Sequence, residues 1–127
     1  MSMILNGRAY FQRRLREEIA RCDRYHDVFS VVTVQAVPAP GFNPNRRVTE
    51  TAARLLERRL RTSDVVDAVD DETIAVVFTG TGKAGITEAG LRLRAALLGI
   101  GGSWNVNEYV FPAQADIIRN LQVLAAA

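Results

Sequence analysis

Residues 61–78, RTSDVVDAVDDETIAVVF, carry the pattern from which the fold of this chain can be inferred. Two runs rich in β-branched apolar residues, 65–69 and 74–78, lie on either side of the acidic residues Asp70, Asp71 and Glu72. Short runs of this kind joined by a polar turn are typical of a β-hairpin. The sequence therefore predicts two antiparallel strands at the centre of a sheet, with a polar tip where a ligand or a catalytic group would lie.

The length and composition are those of an ordinary globular domain. The 127 residues suit one domain with one modest core, and 48% of them are apolar and 24% charged. No apolar run is long enough to span a bilayer, and residues 1–8, MSMILNGR, lack the long apolar core of a signal peptide. We therefore expect a cytoplasmic protein with no membrane partner. The net charge of +2 is too small to predict binding to nucleic acid.

The residues that most often build metal or nucleophilic sites are scarce. Cys22 is the single cysteine, which excludes an internal disulfide and a cysteine-built zinc site, and His26 is the single histidine. We expect an inert thiol, a histidine at the end of a helix, and neither a metal site nor a cofactor. All but one of the 16 basic residues are arginine, which suits contacts with phosphate or guanine but equally follows from a GC-rich genome.

Hydrophobic periodicity and turn residues predict the remaining elements. The predicted order is a helix from the N-cap Asn6 to about Arg24, a strand at 28–37, a helix at 49–60, the hairpin, a helix at 86–98, a strand at 104–111 and a helix at 113–124. The nearly continuous apolar run at 28–37 predicts a central strand covered by helices on one face. Residues 79–85, TGTGKAG, lack the spacing and the hydroxyl residue of a phosphate loop, so a plain connection is expected there. The order predicts an α+β sandwich with a mainly antiparallel sheet.

Three segments resemble the GGDEF family, the diguanylate cyclases that join two GTP molecules into cyclic di-GMP. Residues 6–10, NGRAY, are similar to the start of the family's first helix, LRLRAAL at 91–97 is similar to a later helix, and the hairpin lies where the family has its five-residue signature. The resemblance implies a palm-like, ferredoxin-related core over nearly the whole chain. It also implies one shortened and degenerate GGDEF-like domain spanning residues 1–127.

The positions that carry chemistry in the family differ in this chain. The signature reads DDETI at residues 70–74, so both glycines are replaced, and the fourth position is Thr73 instead of an acid. The strand that ends in a magnesium-binding aspartate in the family has Gln35 at the matching position, and a neutral amide is a poor magnesium ligand. The resemblance therefore implies no catalytic activity. Glu72 stands at a metal-binding position of the family, and the alternative for the acidic tip is a solvated polar turn, which we favour.

The segment that recognises guanine in the family is also altered. Residues 38–46, PAPGFNPNR, form a predicted loop in place of a longer helical segment. Asn43 or Asn45 corresponds to the asparagine that reads guanine in the family. The position of the family's guanine-reading aspartate falls near Arg46. The resemblance thus implies that the guanine pocket for GTP is lost.

One motif keeps the family's pattern. Arg61 and Asp64 match the Arg-x-x-Asp of the family's inhibitory product site, and five residues separate this motif from the signature at Asp70, as in the family. The resemblance implies that the pair holds a guanine of cyclic di-GMP. Arg92 is the candidate for the assisting arginine of a neighbouring helix. The alternative is structural, with Arg61 at the end of a helix and Asp64 in the turn that precedes a strand.

Two functions from different classes follow from these observations. The first is a catalytically inactive signalling module that binds cyclic di-GMP through Arg61, Asp64 and Arg92. The second is a ligand-free interaction module that forms a homodimer or docks on a signalling protein. An RNA-binding domain of ferredoxin-like fold is disfavoured because the predicted strands lack the aromatic residues on which bases stack.

Overall fold

The computed structural model describes the backbone of residues 7–126 and the side chains of residues 7–121. In this part of the chain the elements are α1 Arg8–Tyr25, β1 Phe29–Ala36, α2 Arg46–Glu57, β2 Val65–Ala68, β3 Thr73–Thr79, α3 Lys83–Ile100, β4 Trp104–Phe111 and α4 Ala115–Ala126. The predicted α+β class and element order are confirmed. The predicted N-cap Asn6 lies outside the described residues.

The sheet is antiparallel throughout, with the strand order β2-β3-β1-β4. The hairpin is confirmed, since Val65 is opposite Val77 and Ala68 is opposite Ile74. β3 lies beside β1, with Val31 opposite Val77. The prediction that both hairpin strands lie at the sheet centre is wrong for β2, which is an edge strand. Because β1 already pairs with one side of β3, β2 can pair only with the other side.

Both faces of the sheet are covered by helices, which corrects the prediction that β1 is covered on one face. Side chains alternate between the two faces of a strand. Val32 and Val34 of β1 pack with α2 and α3, whereas Phe29 and Val31 pack against α1 and α4. A strand buried on both faces needs apolar residues at consecutive positions, and this explains the adjacent buried residues Val31 and Val32.

The helix boundaries differ from the predicted ones by a few residues. α2 begins three residues earlier than predicted, because Asn45 is its N-cap and accepts a hydrogen bond from the Val48 N–H at 2.9 Å. It ends at Glu57 instead of Leu60. α3 begins at Lys83, directly after Gly82, and so includes residues 83–85, for which the sequence predicts a connection. The strand at 104–111 has the predicted limits.

α1 ends at Tyr25 and His26 is its C-cap, in agreement with the prediction of a histidine at the end of a helix. His26 adopts a left-handed conformation with φ of 53°, and its backbone N–H donates to the Cys22 carbonyl. None of the helices in the described part of the chain combines the length and the apolar character that crossing a membrane requires.

Candidate functional site

Arg61 and Asp64 meet in the connection between α2 and β2. The Arg61 Nη2 lies 3.0 Å from Asp64 Oδ1 and its Nε lies 3.3 Å from Oδ2, so the guanidinium and carboxylate form a two-point contact. The backbone N–H of Arg61 also donates to Asp64 Oδ2 at 2.9 Å, and the Asp64 N–H donates to the Arg61 carbonyl at 3.0 Å. Backbone and side chains together therefore close a compact turn in front of β2.

The two side chains of this pair differ sharply in exposure. Only 1% of the Asp64 side chain is accessible, whereas 58% of the Arg61 side chain is accessible. All three hydrogen bonds that the Asp64 carboxylate accepts, as described above, come from Arg61. The solvent-exposed part of the pair is therefore the Arg61 guanidinium.

Arg61 is also anchored to the segment that follows β3. Its Nη2 donates to the Thr79 carbonyl at 2.7 Å and to Thr81 Oγ1 at 3.0 Å. No local pattern in the sequence indicates these two partners, which lie in the segment TGTGKAG. All hydrogen bonds that the Arg61 guanidinium donates come from Nε or Nη2. Its Nη1 donates none to the described residues. One donor edge of the guanidinium is thus left for solvent or a ligand.

Arg92 does not join this pair. It lies on α3 with 57% of its side chain exposed, and its Nη1 is 3.7 Å from Glu88 Oε1 one helical turn earlier. No hydrogen bond or ion pair links it to Arg61 or Asp64 within the described residues. Of the three candidate binding residues, the structure brings together two.

The acidic hairpin tip is tied to the body of the protein. Asp70 Oδ1 accepts from the Glu72 N–H at 2.8 Å, which is a local turn contact, and the Glu72 carbonyl accepts from the Ala36 N–H at 2.8 Å. Asp71 is paired with Arg46 at 3.2 Å, and its carbonyl accepts from Thr49 Oγ1 at 2.7 Å. These are the contacts of a polar turn held by backbone and side-chain hydrogen bonds.

A polar cleft of about 540 Å³ opens beside the tip, with Arg8, Gln35 and Arg46 on its other sides. These residues do not fit the magnesium that the family uses. Gln35 offers a neutral amide, and among residues 7–121 no three His, Cys, Asp or Glu side chains come close enough together to hold a metal ion. The carboxylate of Asp71 already faces the guanidinium of Arg46.

The two asparagines of the loop have different surroundings. Asn45 is occupied as the N-cap of α2, so its side-chain oxygen is not free to read a base. Asn43 is exposed in the loop. Arg46, which stands near the family's aspartate position, lies 3.8 Å from Glu50 in addition to its contact with Asp71.

Cys22 is buried in α1 beside a charged cluster. Burial raises the pKa of its thiol to about 11, with a further contribution from Glu18, whose Oε1 lies 3.7 Å from Sγ. Arg21 donates from Nε to Glu18 at 2.8 Å and from Nη1 to Asp27 at 2.9 Å. The pKa of Asp27 is lowered by the Val28 N–H and then by Arg21. A buried thiol that stays protonated is a weak nucleophile, so the inert character predicted for Cys22 agrees with its surroundings.

Several solved structures have this fold. A DGC protein from Thermotoga maritima superposes with a TM-score of 0.79 at 16% identity, covering 96% of this chain and 95% of its own. The GGDEF domain of PA1120 from Pseudomonas aeruginosa gives 0.71 at 14% identity, covering 94% and 91%. The GGDEF domain of DgcB from Caulobacter crescentus, solved in complex with c-di-GMP, gives 0.71 at 12% identity, covering 96% and 83%.

No family model matches the chain, and no characterised protein matches it by sequence. The structural likeness extends over nearly the whole chain, at identities too low to carry function. The comparisons therefore establish the fold of this chain, which is the palm-like α+β fold of GGDEF domains.

Proposed function

We propose that this chain is a catalytically inactive GGDEF-like domain that binds cyclic di-GMP at Arg61 and Asp64. The observation that carries this proposal is the pair itself, in which a half-exposed guanidinium is fixed in place with Nη1 unbound. A guanidinium with a free donor edge suits the acceptor atoms of a guanine base. The complex of the similarly folded DgcB domain with c-di-GMP supports this choice of ligand.

The exposures of the two side chains suggest different roles in binding. Arg61 would contact the base, because its guanidinium is accessible from solvent. Asp64 would act as a positioning residue, since its buried carboxylate holds the guanidinium at two points. Arg92, which is exposed on α3, would contribute a charge to a ligand phosphate.

The proposed loss of catalysis rests on the chemistry of the cleft. Joining two GTP molecules requires metal-bound phosphates and an activated hydroxyl group. Gln35 offers no charge to a metal ion, Thr73 replaces an acid of the signature, and Asp70 and Asp71 replace glycines whose backbone approaches phosphates closely. The like charge of these two aspartates also opposes the binding of a triphosphate.

We expect the purified protein to form no cyclic di-GMP from GTP with either magnesium or manganese present. The physical reason is the missing carboxylate at Gln35, which leaves the phosphates without a metal to neutralise them. The measurement is chromatographic detection of the product after long incubation, with an active diguanylate cyclase as a control for the assay. Product that increases in proportion to the protein concentration would contradict this expectation.

Calorimetric titration with cyclic di-GMP tests the binding site. Arg61→Ala is expected to weaken binding by about tenfold or more, because one charged donor to the base is lost. Asp64→Ala should have a similar effect through the orientation of Arg61. The affinity should decrease as the salt concentration increases, and Arg92→Ala should reduce that dependence if Arg92 contacts a phosphate.

Arg59→Ala is the matched control, because Arg59 is exposed near the same turn and its side chain makes no hydrogen bond or ion pair with the described residues. It should bind cyclic di-GMP as the unaltered protein does. The absence of both heat and a thermal shift at about 1 mM ligand would refute the proposal. Unchanged affinity of a folded Arg61→Ala protein would place the ligand elsewhere.

A ligand-free interaction module is the second candidate, and a specific surface favours it. Leu91 and Leu98 lie seven residues apart on α3, with exposures of 62% and 85%. Residues at this spacing share one face of a helix, so the two leucines form an exposed apolar strip suited to a partner helix or a second copy. Light scattering of the same samples used for calorimetry would show whether the protein self-associates.

A further inference from the structure

β4 is a long edge strand, and in the described part of the chain no strand pairs with its outer side. The order β2-β3-β1-β4 leaves one side of β2 and one side of β4 open. β2 has four residues, whereas β4 has eight. A long open edge presents backbone N–H and C=O groups that can pair with another extended strand. The open side of β4 is the opposite edge of the sheet from β2, which follows the Arg61 and Asp64 pair, so an inference about it does not depend on cyclic di-GMP binding.

Hydrogen bonds at both ends of β4 show which of its backbone groups point away from β1. Just before β4, the Val37 N–H donates to the Ser103 carbonyl at 2.9 Å, so Ser103 points towards β1. At the other end, Val110 points outward, because its N–H donates to Gln114 Oε1 at 2.9 Å and its carbonyl accepts from the Gln114 N–H at 2.7 Å. The direction alternates from residue to residue along an antiparallel strand, and the register with β1 is continuous. The residues of β4 with outward backbone groups are therefore Trp104, Val106, Glu108 and Val110.

These outward groups are blocked at one end of β4 and open at the other. Gln114 occupies both groups of Val110. Arg94 Nη2 donates to the Val106 carbonyl at 3.3 Å, which is a long contact to an oxygen that has a second lone pair. The N–H of Val106 and the outward groups of Trp104 and Glu108 have no hydrogen bond with the described residues. Residues 104–108 thus form an open stretch of edge.

An apolar groove of about 450 Å³ lies between this open stretch and α3. Its lining includes Leu98, Trp104 and Val106. Leu98 is 85% exposed, although Val106 packs partly against the core. Arg94 Nη1 also donates to Glu108 Oε2 at 2.8 Å, so this side of α3 faces β4. A strand added at the edge would cover apolar surface as well as pair with the backbone groups.

The open stretch is complementary to itself. In an antiparallel pair of two β4 strands centred on Val106, Val106 lies opposite its own copy and Trp104 lies opposite Glu108, so every outward group meets another outward group. Moving the centre to Glu108 would place two like charges opposite each other, which destabilises a strand pair. Moving it to Asn107 would place Trp104 opposite Val110, whose backbone groups are already bonded.

We propose that the open stretch of β4 binds the same stretch of a second copy of this chain, in an antiparallel pair centred on Val106. The contact is symmetric, as in most homodimers, and it joins the two sheets into one. On the face of the sheet away from α3, Asn105 of each copy lies opposite Asn107 of the other. Both asparagines are exposed, and their amides can donate to and accept from each other.

Sedimentation velocity of charge variants tests this pairing, with no ligand added. We expect the unaltered protein to form a dimer with a dissociation constant of about 100 μM or below. A lysine variant with Asn105→Lys and Asn107→Lys should dimerise about tenfold or more weakly, because like charges face each other. An aspartate variant with Asn105→Asp and Asn107→Asp should be weakened in the same way. An equimolar mixture of the two variants should dimerise again, since each lysine then faces an aspartate.

Asn43→Lys combined with Thr51→Lys is the matched control. It adds the same two charges at exposed positions outside β4 and should dimerise as the unaltered protein does. The proposal is overturned if the unaltered protein stays monomeric up to about 1 mM. It is equally overturned if the folded lysine variant dimerises normally or if the mixture stays monomeric, because the contact would then lie on another surface.

Amide hydrogen exchange of the unaltered protein gives a test that needs no variant. The N–H groups of Val106 and Glu108 should exchange about threefold more slowly at about 1 mM protein than at about 20 μM, because they are bonded only in the dimer. The Val110 N–H is the internal control, since Gln114 accepts from it at either concentration. Exchange of Val106 and Glu108 that does not change with concentration would overturn the proposal.

Discussion

Val76→Asp is expected to unfold the protein. Val76 is in β3, has no exposed surface, and lies opposite Val32 on one side and Val66 on the other. An aspartate there would place an unpaired carboxylate in the apolar core, at a cost of several kcal/mol, on the order of 5. Whole domains are stable by only about 5–15 kcal/mol. Far-ultraviolet circular dichroism and a urea titration would measure the loss.

Asn105→Asp is the matched control for this substitution. It introduces the same side chain into a strand of the same sheet, at a position that is exposed in β4. Because the carboxylate stays in water, the free energy of unfolding should change by less than about 0.5 kcal/mol. A cooperative urea transition of Val76→Asp at the midpoint of the unaltered protein would show that β3 is not a buried central strand.

The hairpin and the last strand could be predicted because the residues within each segment are enough to indicate a strand. The β-branched runs and the acidic turn between them determine a hairpin without reference to other segments. The position of β2 at the sheet edge could not be predicted in this way. It depends on β1 pairing with β3, and these strands are separated in the chain by α2, β2 and their connecting loops. The same holds for the coverage of β1 on both faces, which depends on where α1, α2, α3 and α4 pack.

The candidate site shows the same division between local and distant information. The contact between Arg61 and Asp64 follows from their spacing of three residues in a turn. Its anchoring by Thr79 and Thr81 joins segments 18 and 20 residues away, and no local pattern indicates it. Only the resemblance to the family implies that Arg92 belongs to the site, and the structure pairs Arg92 with Glu88 of its own helix.

The hairpin tip illustrates why a family motif does not transfer by position. Its acidic residues alone suggest cation binding, but Arg46 lies 25 positions earlier and its guanidinium is directed at Asp71. A cation would have to compete with this ion pair and with the turn contact of Asp70. The neutral Gln35 across the cleft adds no attraction.

Arg61→Ala is expected to destabilise the protein even in the absence of ligand. The substitution removes the guanidinium from a carboxylate with only 1% exposure, leaving Asp64 with the Arg61 backbone N–H as its described partner. Breaking a fully buried ion pair costs about 3–5 kcal/mol. Because Arg61 itself is more than half exposed, we expect a smaller loss of about 2 kcal/mol in the free energy of unfolding, measured by urea titration.

Arg59→Ala and Arg61→Lys complete this experiment. Arg59→Ala should change stability by less than about 0.5 kcal/mol, since it removes an exposed arginine without a salt bridge. Arg61→Lys keeps the charge but loses the planar fork that reaches Asp64, Thr79 and Thr81 together, so its stability should be intermediate. Equal stability of Arg61→Ala and Arg59→Ala would show that the pair does not hold the turn. Arg61 would then serve only to bind a ligand. Arg61→Ala would lower the affinity for cyclic di-GMP without changing the free energy of unfolding.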